Sequence, residues 1–409
     1  MKQVLTMHNP WPTLYTGMKK LLVLIIILST LSGCKTEKET TPSQLENYFK
    51  DSNLPAAIMG SVTRDGEIHW KAFGPSVWGG KDTINENNIF RIYSMTKAIT
   101  SIAAMQLVEK GKIGLDDPLN DLMPEMTSIP ILTKDGKLVQ GSKSITLRHL
   151  LTHTAGFGYD FTSSRLQNFQ SDTWEYEDNP RLFEAGTNWC YGTSTDWVGK
   201  IVEKIAGENL EAYFRNHITG PLQMDATWFN VPDNLKDRIV SYGTKDSTGF
   251  HEYPRIPEEP VTSFNAGGGL FGSPKDYLTF LQCMLNYGKY DGGQLLSRES
   301  FELMIADNLP KDVHLNYEQF ENDVIGFTGE FFDESDRWGL AWAIKSNDNE
   351  SIRPAGSVYW AGAANSYYTL DVENKIAVVY FTQYFPFNDK ESFDFYQLFE
   401  KEVYQDIEK

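Results

Sequence analysis

The stretch Arg91-Ile92-Tyr93-Ser94-Met95-Thr96-Lys97-Ala98-Ile99-Thr100 decides the fold, because it sets a serine and a lysine three residues apart where a helix is predicted to begin. Apolar residues recur at helical spacing from Thr96 to Lys110, and Gly111 ends the pattern. Residues three apart share one face of a helix, so the Lys97 amine can approach the Ser94 hydroxyl. We expect burial and the helix N-terminus to lower the pKa of Lys97, which leaves its amine able to take the serine proton.

Four further segments follow this stretch in order along the chain: Gly114–Leu119, Ile145–Phe157, Gly267–Pro274 and Asp291–Ser297. A Ser-x-x-Lys tetrad alone occurs by chance in many proteins, and these segments supply the context that it needs. Together the five segments resemble the serine β-lactamase and penicillin-binding protein superfamily, most closely the branch related to class C β-lactamases. That branch includes esterases, D-amino-acid peptidases and transesterases, and the resemblance extends from about Leu54 to Phe381.

Strand patterns lie at both ends of the chain, with helical patterns between them. Asp65-Gly66 divides the alternating run Ala56–Phe73 into a predicted hairpin. Four aromatic or β-branched runs and a closing helix follow near the carboxyl terminus: Trp338–Ile344, Ser357–Trp360, Ser366–Leu370, Ile376–Phe381 and the helix Glu391–Tyr404. The predicted fold is α/β plus all-α and β-lactamase-like. An antiparallel sheet from both termini is flanked by helices, a helical subdomain is inserted, and one domain covers 46–409.

The second motif of the resembling family is Tyr-x-Asn, and Tyr191-Gly192-Thr193 stands at the matching position. The resemblance implies that Tyr191 shares the general-base role with Lys97. Thr193 replaces the family's asparagine and is expected to line the substrate pocket. The loss of the asparagine amide puts recognition of a substrate amide in doubt.

The third motif is Lys-Thr-Gly, and its likeness here is Trp360-Ala361-Gly362, followed by Ala363. The glycine would let a substrate lie close to the strand. By the resemblance, the backbone N–H of Ala363 joins that of Ser94 in an oxyanion hole. Trp360 stands where a lysine would meet the carboxylate of a β-lactam, so we interpret Trp360 as a pocket wall of an esterase-like relative.

These residues predict a serine hydrolase that forms an acyl-enzyme on Ser94, most simply by hydrolysing a small-molecule carboxylic ester, with neither a metal nor an organic cofactor. Two alternatives stay open. One is hydrolysis of an amide, by D-amino-acid peptidase, carboxypeptidase or β-lactamase activity. The other is a surface lipoprotein that binds a ligand in the cleft without catalysis.

Other catalytic patterns are weaker. His149 and His153 are four apart and could face one zinc ion, but they lack the glutamate of HExxH and an obvious third ligand. A Ser-His-Asp triad using His153 is a second alternative, although the corresponding histidine of the resembling family is structural. The glycines at 267–269 lack the strand-GxxxxGK-helix context of a phosphate loop.

The amino terminus predicts export. Met18-Lys19-Lys20, the apolar run Leu21–Leu31 and the ending Leu31-Ser32-Gly33-Cys34 predict a signal peptide over 1–33, with translation expected to start at Met18. The ending resembles a bacterial lipobox, which implies acylation of Cys34, a tether over 34–45, and anchoring of an exported protein to the lipid bilayer of the cell envelope.

Charge and cysteine content limit the partners. The net charge is −18 and the pI is about 4.9. Such an acidic chain repels phosphate backbones, so nucleic acid is not an expected partner. Cys190 and Cys283 lie in apolar contexts and are interpreted as small buried side chains, with a disulfide between them as the less favoured alternative.

Overall fold

The computed structural model describes residues 43–257, 259–315, 331–333, 335–347 and 352–407. Within these ranges the helices are α1 Gln44–Asp51, α2 Thr96–Glu109, α3 Pro124–Thr127, α4 Leu147–Leu151, α5 Ser164–Gln167, α6 Ser194–Ala206, α7 Leu210–Phe214, α8 Pro274–Leu285, α9 Arg298–Ile305 and α10 Lys390–Ile407. No helix in these ranges, α10 with its 18 residues included, has the apolar character that a membrane span needs.

The strands of the same ranges are β1 Ala57–Thr63, β2 Ile68–Phe73, β3 Phe90–Arg91, β4 Ile131–Leu132, β5 Leu138–Val139, β6 Tyr242–Asp246, β7 Gly249–Tyr253, β8 Phe271–Gly272, β9 Lys289–Tyr290, β10 Gly293–Gln294, β11 Arg337–Trp338, β12 Ala343–Ile344, β13 Val358–Gly362, β14 Ser366–Asp371, β15 Ile376–Phe381 and β16 Tyr384–Phe385. The principal sheet has seven of them in the order β11-β12-β13-β14-β15-β1-β2, and every neighbouring pair is antiparallel.

This sheet joins the two ends of the chain, as predicted. β1 pairs with β15 from Ile58↔Phe381 to Thr63↔Ile376, and it also pairs with its hairpin partner β2. Every residue of β14 and β15 is buried. Since successive side chains point to opposite faces, complete burial means that both faces of these strands are covered. α8 packs on β1, β14 and β15, and α10 packs on β1 and α1.

The helical region lies between β2 and β11 in sequence, which confirms the inserted subdomain. α2 is its central helix, and residues 96–107 are all buried, because α6 and α7 pack against it. A helix apolar on all sides belongs in a core. The lysine on its first turn is therefore taken out of solvent by the packing of the whole region.

Two boundaries differ from the sequence prediction. The run Trp338–Ile344 is not one strand, because a turn at Gly339 splits it into β11 and β12. A Cβ atom on Gly339 would lie 2.1 Å from the Met304 carbonyl oxygen, and this close approach needs glycine. α1 begins at Gln44 with Leu45 buried, so the folded domain starts two residues before the predicted 46.

Cys34 and the predicted signal peptide lie outside the described residues. Cys190 and Cys283 are both free thiols, which contradicts the less favoured disulfide. Burial raises the pKa of each thiol to about 12. Both cysteines therefore act as apolar core residues, as the sequence favoured.

Candidate active site

The serine lies in a strained turn between a short strand and the central helix. β3 leads into a 3₁₀ turn over Tyr93–Met95, and α2 begins at Thr96. Tyr93 has φ = 45°, a left-handed conformation that a bulky residue adopts only when its surroundings impose it. Ser94 follows at once and lines a cavity of about 430 Å³. The predicted position of the tetrad at a helix start is confirmed.

The Lys97 ammonium uses its donors at the base of this cavity. Its Nζ atom donates to the Ser94 Oγ at 3.3 Å, to the Tyr159 hydroxyl at 3.1 Å and to the Gly267 carbonyl at 2.7 Å. Only 2% of Lys97 is exposed. The predicted approach of lysine to serine is therefore confirmed, and the lysine contacts a second hydroxyl group that the sequence did not indicate.

The predicted lowering of the Lys97 pKa is wrong. Burial does act to lower this pKa, but electrostatic interactions with Tyr159, Tyr191 and Asp196 act in the opposite direction and raise it overall. Burial and the helix N-terminus are evident from the sequence, whereas Tyr159, Tyr191 and Asp196 come near Lys97 only when the chain folds. Lys97 is therefore a cation at neutral pH, and its first effect is to orient and polarise the two hydroxyl groups that it contacts.

Asp196 supplies the fixed negative charge in this group. Its Oδ1 accepts a hydrogen bond of 2.9 Å from the backbone N–H of Gly267, the residue whose carbonyl accepts from Lys97. One residue, Gly267, thus lies between the carboxylate and the ammonium: the N–H of the peptide before its Cα points to the anion, and the C=O of the peptide after it points to the cation. Asp196 sits on the first turn of α6, and burial raises the pKa of its carboxyl.

Tyr191 lies against Lys97 and Trp360. The Lys97 Nζ is 4.7 Å from the centre of the Tyr191 ring. The Trp360 indole N–H donates to the Tyr191 hydroxyl at 3.1 Å. Trp360 is buried and lines the cavity, as expected of a pocket wall. It is also a hydrogen-bond donor to the Tyr191 hydroxyl, so the tryptophan contributes a polar group at the position where the third motif has a lysine.

Tyr159 is a cavity residue in contact with Lys97 that the sequence did not predict. It follows the glycine-containing loop after α4 and lies 62 residues from Lys97 in the chain. Its ring lines the cavity and stacks on Phe161, with ring centres 4.7 Å apart. Burial raises the pKa of Tyr159, and Lys97 opposes part of that rise. A lone tyrosine in a loop carries no spacing signal, so only the fold could identify it.

The end of β13 forms the wall opposite the helix. Gly362 and Ala363 line the cavity together with Ser94. A Cβ on Gly362 would lie 2.5 Å from the Ile92 carbonyl oxygen, so the strand passes directly against the serine turn. This proximity suits the predicted oxyanion hole of the Ser94 and Ala363 N–H groups, which stays a prediction.

The prediction that Thr193 lines the substrate pocket is wrong. It is not among the residues that line the cavity, because its hydroxyl donates to the Asp178 carboxylate. The Trp197 indole N–H donates to the same carboxylate at 2.9 Å. Thr193 therefore helps to fix the start of α6 rather than to line the pocket.

The two histidines make separate structural contacts. The Nδ1 atom of His149 accepts from the Thr146 backbone N–H in a capping box at the start of α4. His153 is buried against Tyr191 and two tryptophans, Trp189 and Trp338. Within the described ranges, no three His, Cys, Asp or Glu side chains are grouped as metal ligands. Neither the zinc alternative nor the His153 triad has geometric support.

The cavity itself is apolar and uncharged. Its lining within the described ranges consists of Tyr93, Ser94, Tyr159, Phe161, Tyr191, Asn265, Gly267, Gly268, Gly269, Phe331, Trp360, Ala361, Gly362, Ala363, Phe385 and Phe387. Aromatic rings and glycine backbone dominate, and the polar groups gather at the serine end. Such a cavity accommodates an apolar group and holds its reactive carbonyl at the polar end.

The fold and the site together define a class: enzymes with a serine hydrolase or acyltransferase activity on a β-lactamase-like fold. A family model described as Beta-lactamase matches residues 53–402, and the chain belongs to that family. The comparison agrees with the resemblance that the five sequence segments indicated.

Individual relatives include an acyltransferase and an esterase. Monacolin J acid methylbutanoyltransferase of Aspergillus terreus is 28% identical over 87% of this chain and 92% of its own length. Lovastatin esterase of Penicillium rubens is 26% identical over 74% of this chain and 81% of its own. Among solved structures, the LovD6 mutant of simvastatin synthase (LovD) from Aspergillus terreus is 26% identical with a TM-score of 0.75, covering 89% of this chain and 94% of that one.

Proposed function

We propose that the protein hydrolyses small carboxylic esters through an acyl-enzyme on Ser94. The observation that carries this proposal is the pairing of Ser94 and Lys97 at the polar end of an uncharged aromatic cavity. The described lining offers no counter-charge to the carboxylate of a β-lactam or a peptide, and burying such a charge unpaired is costly. A neutral acyl group meets no such cost.

The acylation step follows from the contacts of Lys97. Ser94 Oγ attacks the ester carbonyl carbon, and the serine proton passes to the cluster of Lys97, Tyr191 and Tyr159 when that cluster is short of one proton. The predicted N–H donors of Ser94 and Ala363 stabilise the tetrahedral oxyanion. The cluster then gives the proton to the leaving alkoxide, the ester C–O bond breaks, and the alcohol departs from the acyl-serine.

Deacylation reverses these roles. Water attacks the acyl-serine carbonyl and gives a proton to the same cluster, which returns it to Ser94 Oγ as the carboxylic acid leaves. The hydrogen bond from the Trp360 indole N–H supports this cycle, because it holds the Tyr191 hydroxyl in place beside Lys97.

Acyl transfer is the second candidate, favoured by the relative named a methylbutanoyltransferase. It needs the same acyl-serine, with an alcohol in place of water as the attacking nucleophile. An alcohol added to the hydrolysis assay separates the two: a new ester product at the expense of free acid indicates transfer.

The decisive experiment compares 4-nitrophenyl butanoate with a chromogenic cephalosporin and a D-alanyl-D-alanine peptide. We expect turnover of the ester alone, a butanoyl adduct of intact mass on the protein, and loss of both in Ser94→Ala. Turnover of the cephalosporin or the peptide without the ester would favour the amide alternatives. Failure of the ester, the amides and a fluorophosphonate probe to label Ser94 would favour the ligand-binding lipoprotein.

We also propose that the protein is exported and held on the lipid bilayer of the cell envelope by acylated Cys34. The lipobox-like ending at Cys34 supports this, and the polar residues after it would give the domain reach from the membrane. Membrane fractionation and mass spectrometry of the amino-terminal peptide test it. Recovery of an unacylated Cys34 peptide from a soluble fraction would contradict it.

A further inference from the structure

A buried asparagine joins two sides of the cavity that contains Ser94. Asn365 lies in the turn between β13 and β14, where it is completely buried and has φ = 59°. Asparagine adopts this left-handed conformation more readily than most residues. The same turn starts with Ala363, which lines the cavity, whereas Asn365 is not among the described residues of that lining. Any effect of Asn365 on the reaction therefore passes through the residues that it holds.

The side-chain amide of Asn365 uses its full hydrogen-bonding capacity. Its Nδ2 atom donates to the backbone carbonyl groups of Tyr384 and Pro386, both at 2.8 Å. Its Oδ1 atom accepts from the Tyr367 hydroxyl at 2.9 Å and from the backbone N–H of Asp389 at 3.0 Å. An amide side chain offers two donors and two acceptor lone pairs, so all four are occupied and the side chain has one orientation.

Three of these four bonds reach the segment 384–389, which supplies an aromatic wall made of Phe385 and Phe387. Phe385 lies in sequence between the two residues whose carbonyl groups accept from Asn365. β16, which contains Phe385, pairs with β6 outside the principal sheet. The Phe385 ring also contacts the ring of Tyr93, the residue before Ser94, with centres 5.5 Å apart. Asn365 therefore ties the aromatic wall to the end of β13.

We propose that Asn365 is a positioning residue that sets the width of the cavity beside Ser94 and thereby the selectivity for the acyl group of the ester. This inference rests on the proposed esterase function. The end of β13 forms one side of the cavity and the aromatic wall forms another, and the amide of Asn365 fixes their separation. Dispersion contacts weaken steeply when a gap opens between atoms. Displacement of the wall should therefore weaken the binding of a long acyl chain more than that of a short one.

Asn365→Asp tests the link with little change of shape. Aspartate keeps an acceptor for Tyr367 and Asp389, but it donates to at most one of the two carbonyl groups, and only when it is protonated. The substrates are 4-nitrophenyl hexanoate and 4-nitrophenyl acetate, which share a leaving group and differ in the acyl chain. The readout is the ratio of their kcat/KM values, in which the fraction of folded protein cancels. We expect Asn365→Asp to lower this hexanoate-to-acetate ratio roughly tenfold, chiefly through KM of the hexanoate.

The matched control is Gln106→Glu. Gln106 is a buried amide on α2 that also donates to two backbone carbonyl groups, those of His217 and Leu295, and accepts from the Tyr213 hydroxyl. It is not among the described residues that line the cavity. The variant loses donors of the same kind away from the aromatic wall, so its hexanoate-to-acetate ratio should equal that of the wild type.

Tyr367→Phe gives a second and milder variant. It removes one of the two hydrogen bonds to the Asn365 oxygen and leaves an aromatic ring in the core. The amide is then held by three bonds, and we expect the hexanoate-to-acetate ratio to decrease roughly threefold. This variant tests the proposal even if Asn365→Asp does not fold.

The outcomes separate the two proposals. A wild-type ratio in Asn365→Asp, or in Tyr367→Phe where Asn365→Asp does not fold, would overturn the positioning role. An equal decrease of the ratio in Gln106→Glu would overturn it too, because any weakened core would then have the same effect. Absence of turnover and of an acyl-Ser94 adduct with both esters in the wild type would instead overturn the esterase function.

Discussion

At the scale of single residues, the charge of Lys97 depends in part on a carboxylate that is distant in sequence, that of Asp196. Lys97 is enclosed by protein, and a buried cation persists only where a counter-charge or strong acceptors compensate the loss of water. Asp196 provides such a charge near Lys97, and Gly267 lies between the two: its carbonyl accepts from Lys97 at 2.7 Å and its backbone N–H donates to Asp196 at 2.9 Å. Asp196 is therefore a positioning residue that acts through Lys97.

Asp196→Asn should move the pH dependence of catalysis toward acid. The asparagine oxygen can still accept from Gly267, so the geometry stays while the charge is lost. Removing a negative neighbour lowers the pKa of Lys97, so the proton-deficient cluster forms at lower pH. We expect the rising limb of kcat/KM to shift down by about one pH unit or more, with KM nearly unchanged.

A pH profile of ester hydrolysis measures this shift. Glu177→Gln is the control, since Glu177 is an exposed acid paired with Lys200 at the surface. The rising limb of kcat/KM in Glu177→Gln should lie at the same pH as in the wild type. If the rising limb of kcat/KM in Asp196→Asn stayed at the wild-type pH, groups other than Asp196 would set the charge of Lys97.

Helix periodicity predicted the site residues that are close in sequence, the family resemblance predicted Tyr191 and Trp360, and the contacts of Lys97 that neither of them indicates were missed. Ser94 and Lys97 lie within one turn of chain, so helix periodicity alone brings them together. Tyr159 and Asp196 reach Lys97 only after α6 and the loop beyond α4 pack against α2. For the same reason the pKa of Lys97 was predicted with the wrong sign.

At the scale of elements, the position of β13 against the serine turn depends on one glycine. A Cβ on Gly362 would meet the Ile92 carbonyl at 2.5 Å, and a backbone atom cannot swing aside as a side chain can. Gly362→Ala should therefore displace the strand that carries the predicted oxyanion donor. We expect a loss of about 1–3 kcal/mol in the free energy of unfolding and roughly a hundredfold loss in kcat.

Gly111→Ala separates these two effects. Gly111 follows α2 with φ = 62° and open space around its Cα, so alanine there costs about 1–2 kcal/mol from backbone strain alone. Urea unfolding and ester hydrolysis are measured on both variants. If Gly362→Ala and Gly111→Ala lost the same stability and had the same activity, the close approach of β13 to the serine turn would matter for folding and not for catalysis.

Elements were predictable where their signal is periodic. β14 and β15 carry aromatic or β-branched runs and α2 carries helical spacing, and the structure places all three close to the predicted bounds. The run that became β11 and β12 reads as one apolar strand, because its turn is defined by the approach of Gly339 to the Met304 carbonyl. A close approach between two segments that are distant in sequence cannot be predicted from the local sequence.

At the scale of the whole molecule, a buried neutral histidine links folding to pH. Burial, and after it the charge of Lys97, hold the pKa of His153 well below 6.5. The aromatic rings of Trp189, Tyr191 and Trp338 surround it, and its Nδ1 is buried without a partner in the described ranges. The folded protein therefore leaves this imidazole unprotonated where the unfolded chain would protonate it.

The free energy of unfolding should consequently decrease as the pH falls below 6.5. In that window the unfolded chain binds one more proton at His153, which costs about 1.4 kcal/mol per pH unit until the folded pKa is reached. His153→Asn removes this titration, and asparagine tolerates the backbone φ of 56° at this position. Urea unfolding between pH 7.5 and 5 should give a slope shallower by about 1.4 kcal/mol per unit in the variant.

The exposed His251 provides the control, and His251→Asn should keep the wild-type slope. Parallel slopes in His153→Asn and the wild type would mean that His153 takes up a proton in the folded protein as readily as in the unfolded chain.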